Sequence, residues 1–307
     1  MTDRIRIATR ESALALWQAN HVKSELELAY PGLHVEIVGM TTEGDRNKKS
    51  PLSQIGGKGV FVKELEVALL EERADIAVHS MKDVPSELPA SLKISAMCKR
   101  DDPRDALISN SAESIEHLPK GSRVGSSSLR RRLQLKLARP DLKYVELRGN
   151  VDTRLRKLDE GEYDAVILAT AGLKRLGLAE RISQKISTDL CVPAAGQGAV
   201  GIESRAGDEK VNGLLAAIND YQTFDCVSCE REVTIGLGAN CNLPIAAYAE
   251  LTQNQIKLNA YVSDVEGLKF VRQSSVSDRA DALNMARTLT QEMLSQGADR
   301  LIASHGE

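Results

Sequence analysis

The sequence predicts an α/β protein with a smaller α+β domain at its C-terminal end. Between residues 4 and 169, short apolar segments alternate with helical patterns, which is typical of largely parallel sheets covered by helices. After residue 220, one helix is followed by three short strands and a second helix, which favours an antiparallel sheet with a covering helix. With 307 residues, 42% of them hydrophobic, the chain can form two or three domains.

Apolar periodicity predicts the first elements. Strands are expected at residues 4–9, 33–40, 75–78, 92–97 and 165–169, and helices at 12–29 and 60–72. Arg10 and Ser12 stand where the first strand passes into the first helix. The polar, glycine-containing segment 41–58 is expected to form a loop or lid. Its GGKG sequence lacks the first glycine and the Ser or Thr of a P-loop, which argues against nucleotide binding there.

Lys82 and Asp83 follow the predicted strand 75–78 through the sequence HSMKD. In open parallel sheets, ligands bind beyond the carboxyl ends of the strands. Both residues are therefore candidate site residues, although Asp83 is equally compatible with a turn or a helix cap.

Basic charge is concentrated in residues 123–156, which hold eight arginines and two lysines against three acids. This window carries +7 in a chain of net charge −3, so the remainder carries −10. Arginine presents a planar fork of donors that matches carboxylate or phosphate groups. The window predicts a site for a small, multiply charged anion, and the alternative is a solvated arginine-rich face.

Two strand-to-helix junctions are expected inside this window. Ser126, Ser127 and Ser128 open the first helix, where free N–H groups attract anions. Arg130 and Arg131 are expected to reach over the same helix end. At the second junction, Arg148 and Gly149 precede the predicted helix cap, Asn150, and Arg154 lies in the early turns.

The segment 196–201, GQGAVG, matches the G-x-G-x-x-G pattern of dinucleotide-binding folds. The residues before it do not form a convincing strand, and residues 200–203 favour a strand where a helix is required. We therefore expect no nucleotide here. Residues 193–198 suit a hinge, and residues 99–105 a crossing between domains.

Aromatic residues make up only 3% of the chain, which argues against nucleic-acid binding. The N-terminal residues do not form a signal peptide and no run spans a bilayer, so we expect a cytoplasmic protein that does not bind membranes. We also expect a monomer. Five cysteines, an odd number, favour free thiols.

Cys226 and Cys229 form a lone C-x-x-C within a predicted helix, without the further ligands of a zinc site. We expect them to be structural. Cys241 lies in a turn-rich loop, residues 236–244, where it is either an inert packing residue or an accessible thiol.

A series of motifs runs through the chain in a fixed order: ATRESALALWQA, GGKGVFVKELE, AVHSMKDVP, GSSSLRR, LRGNVDTRLRKL, LATAGLKRLGL, PAAGQGAVGIE and NCNLPIAAYAE. Together they resemble hydroxymethylbilane synthase, also called porphobilinogen deaminase, over essentially the whole chain. The resemblance implies two lobes like those of type II solute-binding proteins, followed by a third domain with an antiparallel sheet. The implied boundaries are residues 1–98 with 199–216, residues 99–198, and residues 217–307.

The resemblance implies a transferase of porphyrin and haem biosynthesis that joins four porphobilinogen molecules head to tail, with loss of ammonia, into hydroxymethylbilane. It implies a dipyrromethane cofactor, made from two substrate units and attached to Cys241 through a thioether. Asp83 matches the aspartate that faces the pyrrole nitrogens, and Lys82 is expected to act beside it.

The remaining site residues are also implied by the resemblance. Besides Cys241, the cofactor is expected to contact Ser80, Lys82, Asp83, Ser127, Ser128, Arg130, Arg131, Arg148 and Gly149. Substrate carboxylates are expected to contact Arg10, Ser12, Gln18, Lys58, Ser126, Arg148, Arg154, Arg175 and Gln197. No metal is implied. Gln54 replaces a lysine found in some members, and Arg132 extends the arginine pair to a triple without an assigned role.

Two other classes of function compete with the enzyme. A non-catalytic solute-binding protein would share the two lobes but would be expected to carry an export signal. An anion-sensing regulator would need a DNA-reading element, and the sequence contains none that we can identify.

Overall fold

The computed structural model describes residues 4–42, 44, 59, 61–238 and 243–303. The strands are β1 (Arg4–Arg10), β2 (His34–Met40), β3 (Ile76–Ser80), β4 (Leu92–Met97), β5 (Asp105–Ser109), β6 (Arg123–Gly125), β7 (Lys143–Val145), β8 (Ala165–Ala169), β9 (Gln184–Lys185), β10 (Val200–Arg205), β11 (Ile245–Thr252), β12 (Gln255–Ser263) and β13 (Phe270–Asp278).

The α-helices described are α1 (Ala13–Ala29), α2 (Lys63–Leu70), α3 (Leu129–Ala138), α4 (Val151–Asp159), α5 (Thr170–Arg175), α6 (Glu209–Leu215), α7 (Tyr221–Gly236), α8 (Ala282–Ser295) and α9 (Ala298–Ala303). Short 3-10 turns lie at Met81–Asp83, Ala179–Arg181, Ala216–Ile218 and Arg279–Asp281.

The chain divides into two compact units. Unit 1 comprises residues 1–101 and 199–224, and unit 2 comprises residues 102–198 and 225–307. The chain therefore passes from one unit to the other three times, the last time within α7. The finer division into three domains stays a prediction.

Unit 1 is built on a five-stranded sheet of order β2-β1-β3-β10-β4. β1 runs parallel to β2 and β3, whereas β10 runs antiparallel to β3 and β4. Apolar clusters cover both faces, one including Val22 and Leu26 of α1 and the other Leu65 and Leu69 of α2. Because both faces are buried, the central strands are almost continuously apolar, as the sequence of β3 shows.

Unit 2 contains a second five-stranded sheet, of order β7-β6-β8-β5-β9. β6 is parallel to β7 and β8, and β5 is antiparallel to β8 and β9. Leu107 and Val124 belong to the core on one face, and Leu155 and Leu168 to the core on the other.

The C-terminal part of unit 2 is an antiparallel sheet of order β11-β12-β13. Its apolar core includes Val233 from α7, Leu258 from β12 and Leu289 from α8, each at most 1% exposed. Val192, Ala246 and Tyr261 form a separate buried cluster. The predicted fold class, two α/β sheets plus an α+β domain with an antiparallel sheet, is confirmed.

The G-x-G-x-x-G match is followed by strand β10, beginning at Val200, and no helix starts there. The prediction that this segment lacks the strand-turn-helix context of a dinucleotide site is therefore confirmed.

Candidate functional site

A cavity of about 60 Å³ in unit 1 brings together side chains that are far apart in the sequence. The predicted site residues that line it are Arg10, Ser12, Gln18, Ser80 and Asp83. The other lining residues are Leu14, Ala15, Phe61, Val62, Val78 and His79. Its size suits a carboxylate or the edge of a ring better than a whole oligopyrrole.

The parallel pairing of β1 and β3 explains why these residues meet. Ile7 lies opposite Ile76 in the sheet, so both strands end at the same edge, β1 at Arg10 and β3 at Ser80. Directly after β3, the 3-10 turn Met81–Asp83 carries Lys82 and Asp83. This edge is where ligands of open parallel sheets bind.

Several contacts hold the cavity walls. Ser12 caps α1, since its Oγ accepts a hydrogen bond from the backbone N–H of Ala15 at 3.4 Å. Gln18 is buried, and its Nε2 donates to Ser80 Oγ at 2.8 Å. The guanidinium of Arg10 lies 4.2 Å from the ring centre of Phe61, a cation–π contact that the sequence did not indicate.

A buried histidine–glutamate hydrogen bond lies next to this cavity. His79 Nε2 is 2.9 Å from Glu203 Oε2, and both side chains are almost fully buried. Burial and the nearby Glu203 carboxylate raise the pKa of Glu66, while His79 opposes the rise. Sequence reasoning missed this pair because its members lie on β3 and β10.

In unit 2, Arg130 and Arg131 surround one fully buried carboxylate. Arg130 Nη1 lies 2.8 Å from Asp105 Oδ2, and Arg131 Nε donates to Asp105 Oδ1 at 2.8 Å. Burial alone would raise the pKa of Asp105, but the charges of the two arginines outweigh it and hold that pKa well below its usual range. We call these three residues the arginine cluster.

Gln197 extends the arginine cluster. Its Nε2 donates to Asp105 Oδ1 at 2.9 Å and to the carbonyl of Pro103 at 2.6 Å, and its Oε1 accepts from Arg131 Nη2 at 3.2 Å. Cys191 Sγ is 3.4 Å from Asp105 Oδ2, and burial raises the pKa of this thiol to about 12. Gln197 was predicted to be a site residue, whereas Asp105 was not.

The setting of the two arginines differs from the sequence-based expectation. They lie at most 5% exposed, with their donors directed to Asp105 and to the backbone carbonyls of Val192 and Ile167, rather than reaching over an open helix end. Arg130 and Arg131 are directed inward because Asp105, at the start of β5, supplies a buried negative charge. Their role in binding substrate or cofactor stays a prediction.

The serines at this junction form a local turn. Ser126 is buried, its N–H donates to the carbonyl of Val145, and its Oγ accepts from the N–H of Ser128 at 3.3 Å. Ser127 and Ser128 are half-buried, and Ser128 is the N-cap of α3 without a side-chain capping bond. The three serines therefore directly precede Leu129, the first residue of α3, as predicted.

At the second junction, Asn150 caps α4, as predicted, by accepting from the N–H of Thr153 at 2.9 Å. Gly149 has φ +118°, and a Cβ there would lie 2.7 Å from Thr153 Cγ2, so glycine is required. Arg154 Nε donates to the Gly149 carbonyl at 2.7 Å. Arg148 Nε lies 3.9 Å from Glu146 Oε1.

Arg175, at the end of α5, donates from Nη2 to the carbonyl of Gly198 at 2.6 Å. Lys58, Gln54 and Cys241 lie outside the described residues. Cys226 and Cys229 are buried in the C-terminal core, and burial raises the pKa of Cys229 to about 12. No group of three or more potential metal ligands occurs in the described part of the chain. None of the described helices could cross a membrane.

The donors in unit 2 fit the dipyrromethane implied by the resemblance, which carries several carboxylates. Arg132 Nε is buried without a hydrogen-bond acceptor among the described residues, a state that an anionic ligand would relieve. This buried donor suits an anion.

Comparison with solved structures finds one periplasmic domain and two binding proteins at low sequence identity. The periplasmic VFT2 domain of Bordetella pertussis BvgS is 18% identical, covering 71% of this chain and 87% of that one, with a TM-score of 0.43. The methionine-binding protein MetQ is 17% identical, covering 73% and 94%, with a TM-score of 0.45. A Burkholderia cenocepacia nutrient-binding protein bound to methionine is 15% identical, covering 71% and 93%, with a TM-score of 0.44.

Two protein-family models match the chain in succession. The first, "Porphobilinogen deaminase, dipyromethane cofactor binding domain", matches residues 5–213. The second, "Porphobilinogen deaminase, C-terminal domain", matches residues 224–295. Together they cover nearly the whole sequence, and the chain therefore belongs to the porphobilinogen deaminase (hydroxymethylbilane synthase) family, transferases of tetrapyrrole biosynthesis.

Proposed function

We propose that the enzyme joins four porphobilinogen molecules head to tail into hydroxymethylbilane. Four porphobilinogen molecules and one water give one linear tetrapyrrole and four ammonia molecules. The observation that carries this proposal is the cavity of unit 1, where Asp83 lies with Arg10, Ser12 and Gln18 at one edge of the sheet. A carboxylate beside anion-binding donors suits a substrate that has acidic side chains and becomes cationic when it reacts.

The donors of the chain bind the acetate and propionate groups of porphobilinogen. In unit 1 we assign this role to Arg10, Ser12, Gln18 and Lys58. In unit 2 we assign it to Ser126, Arg148, Arg154, Arg175 and Gln197. Charge-assisted hydrogen bonds contribute about 1.5 to 3 kcal/mol each, so a few of them hold and orient the substrate.

Asp83 stabilises positive charge on the reacting pyrrole. When ammonia leaves porphobilinogen, the substrate becomes a cation whose N–H can donate a hydrogen bond. A carboxylate fixed at this position accepts that bond and offsets the charge as it develops. Lys82, the neighbouring residue in the same turn, assists by contacting a carboxylate of the substrate or cofactor.

The dipyrromethane cofactor is held by a thioether to Cys241 and, when bound, supplies a pyrrole carbon to which substrate units are added. We assign its polar contacts to Ser80, Lys82, Asp83, Ser127, Ser128, Arg130, Arg131, Arg148 and Gly149. The family model over residues 5–213 supports the presence of this cofactor. A cytoplasmic location and a monomeric state stay predictions of the sequence.

The test is to incubate the purified chain with porphobilinogen and to quantify ammonia and pyrrole products. We expect the protein to release four ammonia molecules for each linear tetrapyrrole that it forms. A protein that binds porphobilinogen but releases no ammonia would instead be a solute-binding protein and would overturn the proposal.

A further inference from the structure

Glu230 on α7 is a fully buried carboxylate to which neither the sequence nor the proposed function gives a role. Its Oε2 accepts a hydrogen bond from the backbone N–H of Gly196 at 2.7 Å. Its Oε1 accepts one from the backbone N–H of Ala249, in β11, at 2.8 Å. One side chain thus joins the segment 193–198 to a strand of the C-terminal sheet.

The segment that Glu230 holds is a tight turn. The N–H of Gln197 donates to the carbonyl of Ala194 at 3.0 Å. Gly196 and Gly198 have φ +72° and +89°, values that favour glycine. The position of the Gly196 N–H therefore sets the backbone direction at the next residue, Gln197.

Gln197 in turn orders the arginine cluster. It donates to Asp105 and accepts from Arg131, and it is 1% exposed, so its amide has little freedom to reorient. The carbonyl of Gly198 in the same turn accepts from Arg175. Displacing this turn would break the contacts that hold Arg131 and Arg175 and would change which of their N–H donors are free for a ligand.

We propose that Glu230 is a positioning residue for substrate and cofactor binding, because it fixes the turn that orients Gln197, Arg131 and Arg175. The two hydrogen bonds of Glu230 described above go to backbone N–H groups. Glu230 therefore acts on the three side chains through the Gly196 N–H. Since β11 begins at Ile245, shortly after Cys241 in the sequence, the same carboxylate also anchors the strand that follows the cofactor cysteine. The inference rests on the proposed function, which assigns Gln197 and Arg175 to the substrate and Arg131 to the cofactor.

Glu230→Gln tests the proposal, because glutamine keeps the size but has one acceptor oxygen for two backbone N–H groups. Glu232→Gln is the matched control. It lies two residues further along α7, and its carboxylate contacts Arg287 at the surface. The first readout is hydrogen exchange in the wild type and both variants without substrate. We expect exchange in the peptide containing residues 194–198 to become about tenfold faster or more in Glu230→Gln only.

The second readout is a double-mutant cycle with Gln197→Ala, followed by KM and kcat for porphobilinogen. If Glu230 acts through Gln197, Glu230→Gln raises KM more than kcat falls. The double variant then loses about as much kcat/KM as Gln197→Ala alone. Circular dichroism and thermal unfolding of each variant identify any global loss of structure, and the exchange of β12 peptides serves as the internal reference.

Unchanged exchange at residues 194–198, or strictly additive losses in the cycle, would overturn the proposal. So would a uniform increase in exchange that includes β12, since that would indicate a general structural role. Failure of the proposed function is distinguishable, because the wild type itself would then release no ammonia from porphobilinogen.

Discussion

The cavity of unit 1 and the arginine cluster of unit 2 each contain an aspartate near arginine, but the two carboxylates are in opposite environments. Asp83 lines a cavity at a sheet edge and is partly exposed. Asp105 is 0% exposed and contacts two guanidinium groups at 2.8 Å. The first borders a cavity, and the second stabilises the protein's own cations.

This difference shows that a basic sequence window does not report how much charge is available to a ligand. Asp105 offsets one of the two charges of Arg130 and Arg131, and the backbone carbonyls of Ile167 and Val192 take further donors. The cluster therefore acts as a fixed, partly neutralised scaffold. Arg148 is less buried, with a side chain 22% exposed against 6% for Arg131.

Asp105→Asn should have the largest effect. It leaves two buried arginines without their counter-charge, which we expect to lower the free energy of unfolding by about 3 to 5 kcal/mol. Asp159→Asn is the control, because Asp159 pairs with Arg181 at the surface and should cost at most about 1 kcal/mol. Denaturant unfolding monitored by circular dichroism measures both, and equal losses would show that burial does not distinguish the two pairs.

The pH dependence of this difference follows from the lowered pKa of Asp105. A carboxylate with a lowered folded pKa stabilises the protein above its ordinary pKa, 3.8, and loses that contribution as the pH falls through the folded value. The gap between wild type and Asp105→Asn should thus stay constant from about pH 5 to 8 and shrink only in stronger acid. A gap that already closes near neutral pH would contradict this assignment.

Asp83→Asn tests the other aspartate. The variant keeps the size and one acceptor but loses the charge, so we expect kcat to fall by about two orders of magnitude with little change in KM. Stability should change little, because Asp83 is partly exposed. Asp83→Glu is the companion variant and should retain more activity. Steady-state kinetics with near-normal kcat for the asparagine variant would remove Asp83 from the mechanism.

Arg148→Gln and Arg131→Gln compare a partly exposed arginine with a buried one. Losing a charge-assisted contact at Arg148 should raise KM by about tenfold to 150-fold and let stalled covalent intermediates accumulate. Arg131→Gln should instead lower stability and block cofactor assembly, since Arg131 belongs to the buried cluster. Mass spectrometry of the ladder of added rings distinguishes them, and identical ladders would mean that the arginines act only as a diffuse field.

The smallest effect is expected when the folded protein is treated with an alkylating reagent at its four described cysteines. These residues, which are buried thiols outside any disulfide, are Cys98, Cys191, Cys226 and Cys229. Burial raises the pKa values of Cys191 and Cys229 to about 12, so the thiolate fraction at pH 8 is about one in ten thousand. An alkylating reagent should leave all four unmodified in the folded protein and label them after denaturation. Rapid labelling of Cys191 in the folded protein would show that the arginine cluster is open to solvent.

Local features could be predicted from the sequence because their causes lie within a few residues. The Asn150 cap, the placement of Lys82 and Asp83 after β3, and the strand after the glycine-rich match belong to this class. The arginine cluster could not be predicted in the same way. Its partners are joined across 26 and 66 residues, for Asp105 and Gln197 respectively, by the pairing of strands.

The only local signal for Asp105 was a carboxylate at the start of an otherwise apolar strand, DALIS. A charge at such a position requires a partner when the strand is buried. Nothing in the local sequence says which of the eight arginines in residues 123–156 supplies it. The pair His79 and Glu203, 124 residues apart, was hidden for the same reason.

Intact-mass measurement of the wild type and Cys241→Ser, expressed with porphobilinogen synthesis active, tests whether Cys241 carries the dipyrromethane. We expect the mass of the wild type to exceed that of the bare chain by two porphobilinogen units less two ammonia molecules. We expect Cys241→Ser to have the bare mass and almost no activity, because a hydroxyl is a poorer nucleophile than a thiol at neutral pH. A wild type of bare mass, or a serine variant with the full excess and normal turnover, would contradict this attachment.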